Sequence, residues 1–366
     1  MTTARFNVPD LDIIELRMRL SSTRWPAPWP TEPWTAGTDE KELRRLTRYW
    51  ADGFDWRAQE EFLNSLPSGE MVIGGHSVHY LKFDANGEQV MPILLSNGWP
   101  STFFEMVQVA QKLADMSFAV VVPSIPGFTF SAQRPSLPAD ISTHEIWHQL
   151  MTGLGFNRYL AHGGDLGAGT TSRLAAAHPE AVIGAHLMAV GAPSEYDEAT
   201  LTNSEREYLH RAARWTQEEG AYMHQQSTRP LTLAYGLSDS PTGLLAWIVE
   251  KYRAWSDSSG RLSNSFTDDF LLTQASLYWF TNTIGTSFRP YYEYGRGVPR
   301  GLQRVSVPTA LALFPADLSQ PPRSWAERTH NVVRYTKMPR GGHFAAVEEP
   351  DLLATDIAEF ARTLGL

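Results

Sequence analysis

The stretch LAHGGDLGAG, Leu160 to Gly169, decides how the rest of the chain is interpreted. Small residues on both sides of one polar residue are typical of a tight strand-to-helix turn that presents a nucleophile, usually as G-x-S-x-G. Gly163 and Gly167 occupy the glycine positions here, but the central residue is Asp165 rather than serine. The turn therefore predicts a carboxylate nucleophile at the edge of a sheet, near the N-terminus of the following helix.

Strand and helix patterns alternate on both sides of this turn. MVIGGHSVHYLKF has period two around Gly74 and Gly75, which predicts two strands joined by a tight turn. The runs VMPILLSNG, FAVVVPSIPG and RYLAHG predict buried strands, and ISTHEIWHQLMTGLG and the segment after Asp165 predict helices. A strand, VPTALALFPA, and a last helix, EEPDLLATDIAEFARTL, follow near the end. This alternation predicts an α/β fold with a mostly parallel sheet flanked by helices.

Two regions depart from this alternation. Before the sheet, DLDIIELRMRL and ELRRLTRYWADGFDWRAQEEFLNSL are helical in pattern, and a segment rich in Trp and Pro separates them. From about residue 194 to residue 300 the sequence is helical and aromatic, with little strand signal. We expect an N-terminal extension that wraps the core (1–88), a first core part (89–193), a helical cap over the C-terminal strand ends (194–300) and a second core part (301–366).

Composition excludes several classes of function. The 366 residues carry a formal net charge of −9, which argues against nucleic acid or an anionic membrane as the main partner. The chain contains no cysteine, so disulfides, thiolate metal sites and cysteine nucleophiles are excluded. No apolar run approaches the ~18 residues of a membrane-spanning helix. Charged residues interrupt the N-terminal apolar run, so we expect no signal peptide, no membrane anchor and a cytoplasmic location.

Two late residues complete a catalytic pattern with Asp165. Asp317, in FPADL, follows the strand VPTALALF, and His343, in RGGHF, lies in a glycine-rich loop before the last helix. A nucleophile, an acid and a histidine in this chain order are typical of a hydrolase triad built on a nucleophile turn. The sequence therefore predicts Asp165 as nucleophile, His343 as base and Asp317 as the acid that orients the histidine.

Further motifs in the same order resemble the microsomal-type epoxide hydrolases, which have the α/β-hydrolase fold. RWPAPWP, YWADGFDWRAQEEFLNSLP and IGGHSVHYLKF resemble that family's N-terminal extension. SNGWPS resembles its oxyanion-loop motif, HGWPGS, with Asn97 in place of histidine, while GGDLG and RGGHFAAVEEP match its nucleophile turn and histidine loop. In the cap, YMHQQSTRP and LYWFTNTIGTSFRPYYEY match the segments with the two family tyrosines. The two family tyrosines correspond to Tyr222 and Tyr291 in this sequence. A shift of one residue in the second match would give Tyr292 instead of Tyr291. The resemblance covers nearly the whole chain.

The resemblance implies an epoxide hydrolase that uses no cofactor and no metal. Asp165 would attack an epoxide carbon and form an ester, while Tyr222 and Tyr291 would hydrogen-bond the epoxide oxygen and supply a proton. His343, oriented by Asp317, would activate the water that hydrolyses the ester and releases a vicinal diol. A serine at the turn would give an ether that water cannot cleave in this way, whereas an aspartate gives a hydrolysable ester.

The same resemblance implies the remaining site residues and the partners. The backbone N–H groups of Trp99 and Leu166 would form the oxyanion hole. Trp99, Pro100, Tyr278 and Trp279 would line the substrate pocket, and the Trp99–Pro100 peptide bond is expected to be cis. The aromatic cap suggests a bulky apolar epoxide as substrate, with water as the second reactant. We expect a monomer or a homodimer, and a role in detoxification, catabolism or natural-product biosynthesis.

Three alternatives remain open at this point. HEIWH, His144 to His148, fits the H-E-x-x-H zinc motif, but it lies on a predicted crossover helix with no third-ligand motif after it, so we interpret it as a coincidence. A haloalkane or haloacid dehalogenase would use the same ester chemistry, although paired cap tyrosines favour an epoxide. The third alternative is a weakly active scaffold that binds a ligand in the cap pocket. Its only indication is Asn97 in place of the family histidine.

Overall fold

The computed structural model describes residues 6–86, 90–134, 142–193, 195–298 and 303–366. Within these ranges the strands of one sheet are β1 (Ser68–Ile73), β2 (His76–Phe83), β3 (Met91–Ser96), β4 (Phe118–Pro123), β5 (Tyr159–Gly163), β6 (Val182–Leu187), β7 (Val305–Leu313) and β8 (His330–Lys337). Their order is β1-β2-β4-β3-β5-β6-β7-β8. The β1–β2 and β2–β4 pairs are antiparallel and the other pairs are parallel. The predicted mostly parallel sheet is confirmed.

Helices cover the sheet and fill the segment between β6 and β7. In the described ranges they are α1 (Asp10–Ser21), α2 (Glu40–Asp52), α3 (Trp56–Ser65), α4 (Val107–Asp115), α5 (Thr143–Gly153), α6 (Leu166–Ala177), α7 (Asn203–Glu219), α8 (Ala221–Thr228), α9 (Pro230–Asp239), α10 (Pro241–Ala254), α11 (Asp268–Thr281), α12 (Ile284–Ser287), α13 (Arg289–Tyr294), α14 (Arg323–Glu327), α15 (Ala345–Glu348) and α16 (Pro350–Thr363). The segment from α7 to α13 is the cap, and it contains no strand among its described residues.

The central strands are continuous apolar runs because helices pack on both faces of the sheet. All six residues of β4 and all five residues of β5 are buried. In an α/β fold, parallel strands covered on both faces lose the alternation of polar and apolar residues that marks a half-exposed strand. Because β5 runs directly into the turn that carries Asp165, this buried sheet fixes the position of that turn.

The N-terminal extension differs in detail from the sequence prediction. The stretch 42–66, expected as one helical region, is divided between α2 and α3. A new helix begins after Asp55 because the Asp55 side chain accepts a hydrogen bond from the backbone N–H of Ala58 and so caps the N-terminus of α3. The segment 25–34, rich in Trp and Pro, contains no helix or strand.

The extension is attached to the cap as well as to the sheet. The indole N–H of Trp50 in α2 donates to the hydroxyl of Ser276 in α11 over 3.0 Å, and both side chains are buried. Arg45 forms a two-pronged ion pair with Asp268 at the start of α11, with N–O distances of 2.5 and 2.8 Å. The expected domain boundaries near residues 88, 194 and 300 lie at positions outside the described residues. In the part of the chain that the structure describes, no helix is long and apolar enough to cross a membrane.

Candidate active site

Asp165 occupies a strained turn between β5 and α6. Its backbone has φ 49° and ψ −124°, a region that non-glycine residues rarely adopt. The chain can turn this sharply because a side chain is absent at Gly167, where a Cβ atom would lie 2.1 Å from the carbonyl oxygen of Ser96. Leu166 is the first residue of α6, so its backbone N–H is one of the unpaired donors at the helix N-terminus. The turn thus presents the Asp165 carboxylate to backbone donors, as the sequence predicts.

The three residues of the predicted triad lie together. Nδ1 of His343 donates to Oδ1 of Asp317 over 2.7 Å, and Nε2 of His343 lies 3.5 Å from Oδ2 of Asp165. The side chains of His343 and Asp317 are only 8% and 4% exposed. The histidine loop is also fixed to the cap, because the backbone N–H of His343 donates to the carbonyl of Trp255 over 2.9 Å. Sequence order alone placed these residues on three separate segments, and the fold makes them neighbours.

The charge of His343 is set by its two carboxylate neighbours. Burial acts to lower the pKa of the imidazole, but Asp317 and Asp165 outweigh burial and hold that pKa well above its usual range. The two carboxylates therefore favour the imidazolium form of His343. Loss of either negative charge would weaken this effect and favour the neutral imidazole.

The loop after β3 lies against Asp165. The backbone N–H of Trp99 donates to Oδ1 of Asp165 over 2.9 Å. A Cβ atom on Gly98 would lie 2.2 Å from Cβ of Asp165, so only glycine permits this approach. The Trp99–Pro100 peptide bond is cis, as the resemblance suggests. Asn97, which replaces the expected histidine, is 1% exposed and donates from Nδ2 to the carbonyls of Gly98 and Ser101 over 3.0 and 3.1 Å. It therefore holds the loop together.

The cap contributes a pair of buried tyrosines above Trp99. The rings of Tyr222 in α8 and Tyr291 in α13 have centroids 5.9 Å apart and planes at 75°. The centroid of the Trp99 ring lies 5.3 Å from that of Tyr222 and 6.0 Å from that of Tyr291. Burial first, and the Asp165 charge second, raise the pKa of both phenols, so both are neutral hydrogen-bond donors. Among the described residues the Tyr291 hydroxyl has no hydrogen-bond partner within normal distance and angle limits.

The neighbours of Tyr291 face elsewhere. The Tyr292 ring lies 3.4 Å from the guanidinium carbon of Arg296, near the outer surface of the cap. Tyr294 is 40% exposed, and its hydroxyl end lies against α6, where a Cβ atom on Gly169 would be 3.8 Å from it. Of these neighbouring tyrosines, Tyr291 is the one that faces Tyr222. This supports Tyr291 rather than Tyr292 as the second family tyrosine.

The other predicted pocket residues do not all lie at the same place. Tyr278 is fully buried, and its hydroxyl donates to the carbonyl of Ser101 over 3.3 Å, one residue beyond Pro100 in the oxyanion loop. The Trp279 ring lies 5.9 Å from the guanidinium carbon of Arg19 in α1, which places it against the N-terminal extension. Trp99, Pro100 and Tyr278 thus lie together near Asp165. Trp279 instead contacts Arg19, which is outside the site.

The H-E-x-x-H motif does not form a metal site. Glu145 lies 3.1 Å from Nε2 of His178, and the ring of His148 stacks on that of His178 with centroids 3.7 Å apart. His144 lies 3.0 Å from the hydroxyl of Ser142 through Nδ1. Within the described residues, no group of three or more His, Asp or Glu side chains has an arrangement that could hold a metal ion. The motif is therefore part of an ordinary helix that packs on the sheet.

Two charged residues near the site were missed by sequence reasoning. Glu105 follows the oxyanion loop and is 6% exposed, and it lines a small cavity together with Asp165 and His343. Lys251 in α10 is 5% exposed, with its ammonium 5.1 Å from the centre of the Tyr222 ring. Neither residue belongs to a recognisable motif. The only available signal was a charged residue within a strongly apolar stretch, in PSTFFEM and LLAWIVEKY.

Comparisons with known proteins agree with this geometry. Residues 1–106 match the family model described as epoxide hydrolase N terminus, and residues 91–208 match the model described as alpha/beta hydrolase fold. Epoxide hydrolase 1 of Oryctolagus cuniculus is 34% identical over 392 residues, covering 96% of this chain and 86% of the relative. The solved structure of Aspergillus niger epoxide hydrolase has a TM-score of 0.87 and 32% identity, over 99% of this chain and 96% of that chain.

A second solved structure extends the match to an insect protein. Juvenile hormone epoxide hydrolase from Bombyx mori has a TM-score of 0.88 and 27% identity, over 99% of this chain and 94% of that chain. Sequence similarity over nearly the full length and the same fold therefore accompany the triad and the tyrosine pair. The chain belongs to the epoxide hydrolase family of the α/β-hydrolase fold, and its activity is the hydrolysis of an epoxide.

Proposed function

We propose that this enzyme converts an apolar epoxide to a vicinal diol through a covalent ester on Asp165. The observation that carries the proposal is the position of the Asp165 carboxylate. Oδ1 of Asp165 accepts from the Trp99 backbone N–H over 2.9 Å, and Oδ2 lies 3.5 Å from Nε2 of His343. One carboxylate is thus bound at an oxyanion site and also lies next to the base that would be needed to release an ester.

In the first step the Asp165 carboxylate attacks an epoxide carbon. A C–O bond forms to Asp165, the strained C–O bond of the ring breaks, and its electron pair moves to the epoxide oxygen. A carboxylate requires no deprotonation at neutral pH, and ring strain makes the epoxide carbon a suitable electrophile. The oxygen develops alkoxide charge, which is more basic than a phenolate. Tyr222 or Tyr291 can therefore protonate it, although burial makes both phenols weaker acids than in water.

In the second step water hydrolyses the ester. The water oxygen attacks the carboxyl carbon of Asp165, and Nε2 of His343 accepts its proton. The Trp99 and Leu166 backbone N–H groups stabilise the tetrahedral oxyanion. The bond to the alkyl oxygen then breaks, and the diol oxygen takes a proton from His343. The second proton of the water remains on the released Asp165 carboxyl group and passes to His343, which gave its resting proton to the phenolate formed in the first step. The net reaction therefore adds one water to the epoxide.

Ester formation itself would activate His343. In the free enzyme Asp165 and Asp317 together keep the pKa of His343 well above its usual range. Esterification removes the charge of Asp165, and with it part of that effect, while burial continues to lower the pKa. His343 would then give its proton to the phenolate left by the first step and become a base for the second. Asp317 keeps the ring oriented through the 2.7 Å bond to Nδ1.

The substrate class follows from the side chains around the tyrosine pair. Trp99 is in ring contact with Trp247, Trp255 and Phe288, at centroid distances of 6.2–6.4 Å. Such surroundings favour a bulky apolar epoxide over a small charged one. The dehalogenase alternative loses support because the relatives named above are epoxide hydrolases and the cap presents a pair of tyrosines. The binding-scaffold alternative loses support because Asp165, His343 and Asp317 lie together.

Trapping of the ester tests this mechanism. The His343→Gln variant, mixed with styrene oxide and quenched in acid, should carry one styrene oxide adduct on the peptide that contains Asp165, as detected by mass spectrometry. Asp165→Asn in the same background is the matched control and should carry none. Diol formation by His343→Gln with no adduct at any time would contradict the covalent mechanism.

A further inference from the structure

A small cavity lies directly beside the nucleophile. Its volume is about 10 Å³, and its lining includes Asn97, Glu105, Asp165 and His343. About 10–15 Å³ is the least volume that accommodates one water molecule, and a bound water also needs two to four polar partners. The cavity is thus too small for an epoxide, but its size and its polar lining match one water.

Glu105 is an unusual residue for this place. It belongs to a short 3-10 helix, Phe103–Met106, and its side chain is buried. Burial raises its pKa to about 8, an effect that His343 and Ser101 oppose only in part. Its carboxyl group is therefore mainly neutral at neutral pH and can both donate and accept hydrogen bonds. An apolar residue would fill this position at a smaller desolvation cost.

Asn97 provides a second, independent observation. Both hydrogens of its amide are used, since Nδ2 donates to the carbonyls of Gly98 and Ser101. Its Oδ1 atom is buried and has no hydrogen-bond partner among the described residues. A buried acceptor without a partner is unfavourable by about 1–3 kcal/mol, so such atoms normally face a bound group. Asn97 lines the same cavity as Glu105.

We propose that this cavity holds the hydrolytic water, and that Glu105 and Asn97 position it between Nε2 of His343 and the carboxyl carbon of Asp165. In the ester, where His343 is neutral, one water hydrogen faces Nε2 of His343 and the other is accepted by Oδ1 of Asn97. Glu105 completes the hydrogen bonding of the water and restricts its orientation. Both are positioning residues, because the bond changes occur at His343 and Asp165. The inference rests on the proposed ester mechanism, since without an ester this water has no reaction.

The test separates the two chemical steps in single-turnover experiments with excess enzyme and styrene oxide. Glu105→Met keeps the length of the side chain but removes its hydrogen bonds, and ester hydrolysis should slow by about 10- to 100-fold. Ester formation should stay within about threefold of wild type, because Glu105 does not take part in it. Glu105→Gln is the matched control, since its amide retains a donor and an acceptor, and it should hydrolyse the ester within about fivefold of wild type.

A crystal structure of the wild-type enzyme at high resolution provides a measurement that does not depend on folding of the variants. It should show one water within hydrogen-bond distance of Glu105, Asn97 and His343, and the absence of that water would overturn the proposal. Equal slowing of both steps in Glu105→Met, or hydrolysis at the wild-type rate, would also overturn it. These results differ from failure of the covalent mechanism itself, in which His343→Gln would accumulate no ester on Asp165.

Discussion

The indole of Trp99 stacks on the phenol of Tyr222, with ring centroids 5.3 Å apart and planes only 7° from parallel. Trp99 belongs to the oxyanion loop of the core and Tyr222 belongs to helix α8 of the cap. The backbone N–H of Trp99 also donates to Asp165. One residue therefore links Asp165, the proposed nucleophile, to Tyr222, one of the two phenols proposed to protonate the epoxide oxygen, so a shift of the cap would affect both.

Removal of the cap phenols should slow ring opening and leave ester hydrolysis unchanged. Tyr222→Phe or Tyr291→Phe should each reduce the rate of ester formation about 10- to 100-fold, and the double variant by about 10³-fold or more. Each variant retains the ring that packs on Trp99, so stability should change little. Quenched-flow measurement of the ester on Asp165 gives both rate constants.

Tyr292→Phe is the matched control for the tyrosine register. Tyr292 lies against Arg296 rather than against Tyr222, so this variant should keep the wild-type rate of ester formation. Loss of activity in Tyr292→Phe, with Tyr291→Phe unaffected, would show that the assigned register is wrong by one residue.

Asp165→Asn should lower the pKa of His343, because it removes one of the two charges that raise it. Asparagine has nearly the shape of aspartate and, like the proposed ester, carries no charge. NMR titration of the His343 ring in wild type and variant measures the change. Asp317→Asn should also lower this pKa. An unchanged pKa in Asp165→Asn would show that esterification does not produce the base.

Stability should decline in mild acid because of His79. This residue lies in β2 between Phe103 and Phe130, and its Nδ1 is 2.9 Å from the hydroxyl of Ser124. Burial lowers the pKa of His79 to about 3. Below about pH 6.5 the unfolded chain therefore binds a proton that the folded chain excludes. The free energy of unfolding should fall with decreasing pH, down to about pH 3, by up to about 1.4 kcal/mol per pH unit from this residue.

Urea unfolding between pH 4 and pH 7 measures that slope. His79→Gln should make the slope shallower, whereas the control His210→Gln, at an exposed position in α7, should not alter it. Identical slopes in wild type and His79→Gln would mean that His79 takes up a proton in the folded state.

Metal chelation should leave turnover unchanged. Glu145 and His148 both contact His178, His148 also contacts the hydroxyl of Tyr159, and among the described residues no suitable metal cluster exists. Incubation with 1,10-phenanthroline should not reduce the rate of diol formation, and His148→Gln should remain active. Stoichiometric zinc by elemental analysis, together with loss of activity on chelation, would contradict this interpretation of the HEIWH motif.

Several parts of the fold and site could be predicted because their signals are local. Asp165 could be identified from two glycines at fixed spacing, and Asp317 and His343 from their positions after a strand and within a glycine-rich loop. The strand β8 gave a weaker signal, since HNVVRYTK contains only two consecutive aliphatic residues and its last four residues are partly or fully exposed. It was not predicted.

Glu105 and the unpaired oxygen of Asn97 could not be predicted, for a different physical reason. Their significance comes from a shared cavity between segments that are distant in sequence, and no spacing rule describes such a cavity. The break between α2 and α3 depends on a single cap, Asp55, within an otherwise continuous helical pattern. Burial and tertiary contact, rather than residue type, determine these features.

A single turnover in H₂¹⁸O tests the covalent mechanism most directly. Excess enzyme reacts once with styrene oxide, and both the diol and the peptide that contains Asp165 are weighed. Because water attacks the carboxyl carbon, ¹⁸O should appear in Asp165, and the first diol should contain almost none. A first diol labelled from water, with Asp165 unlabelled, would contradict the ester mechanism and show direct attack of water on the epoxide.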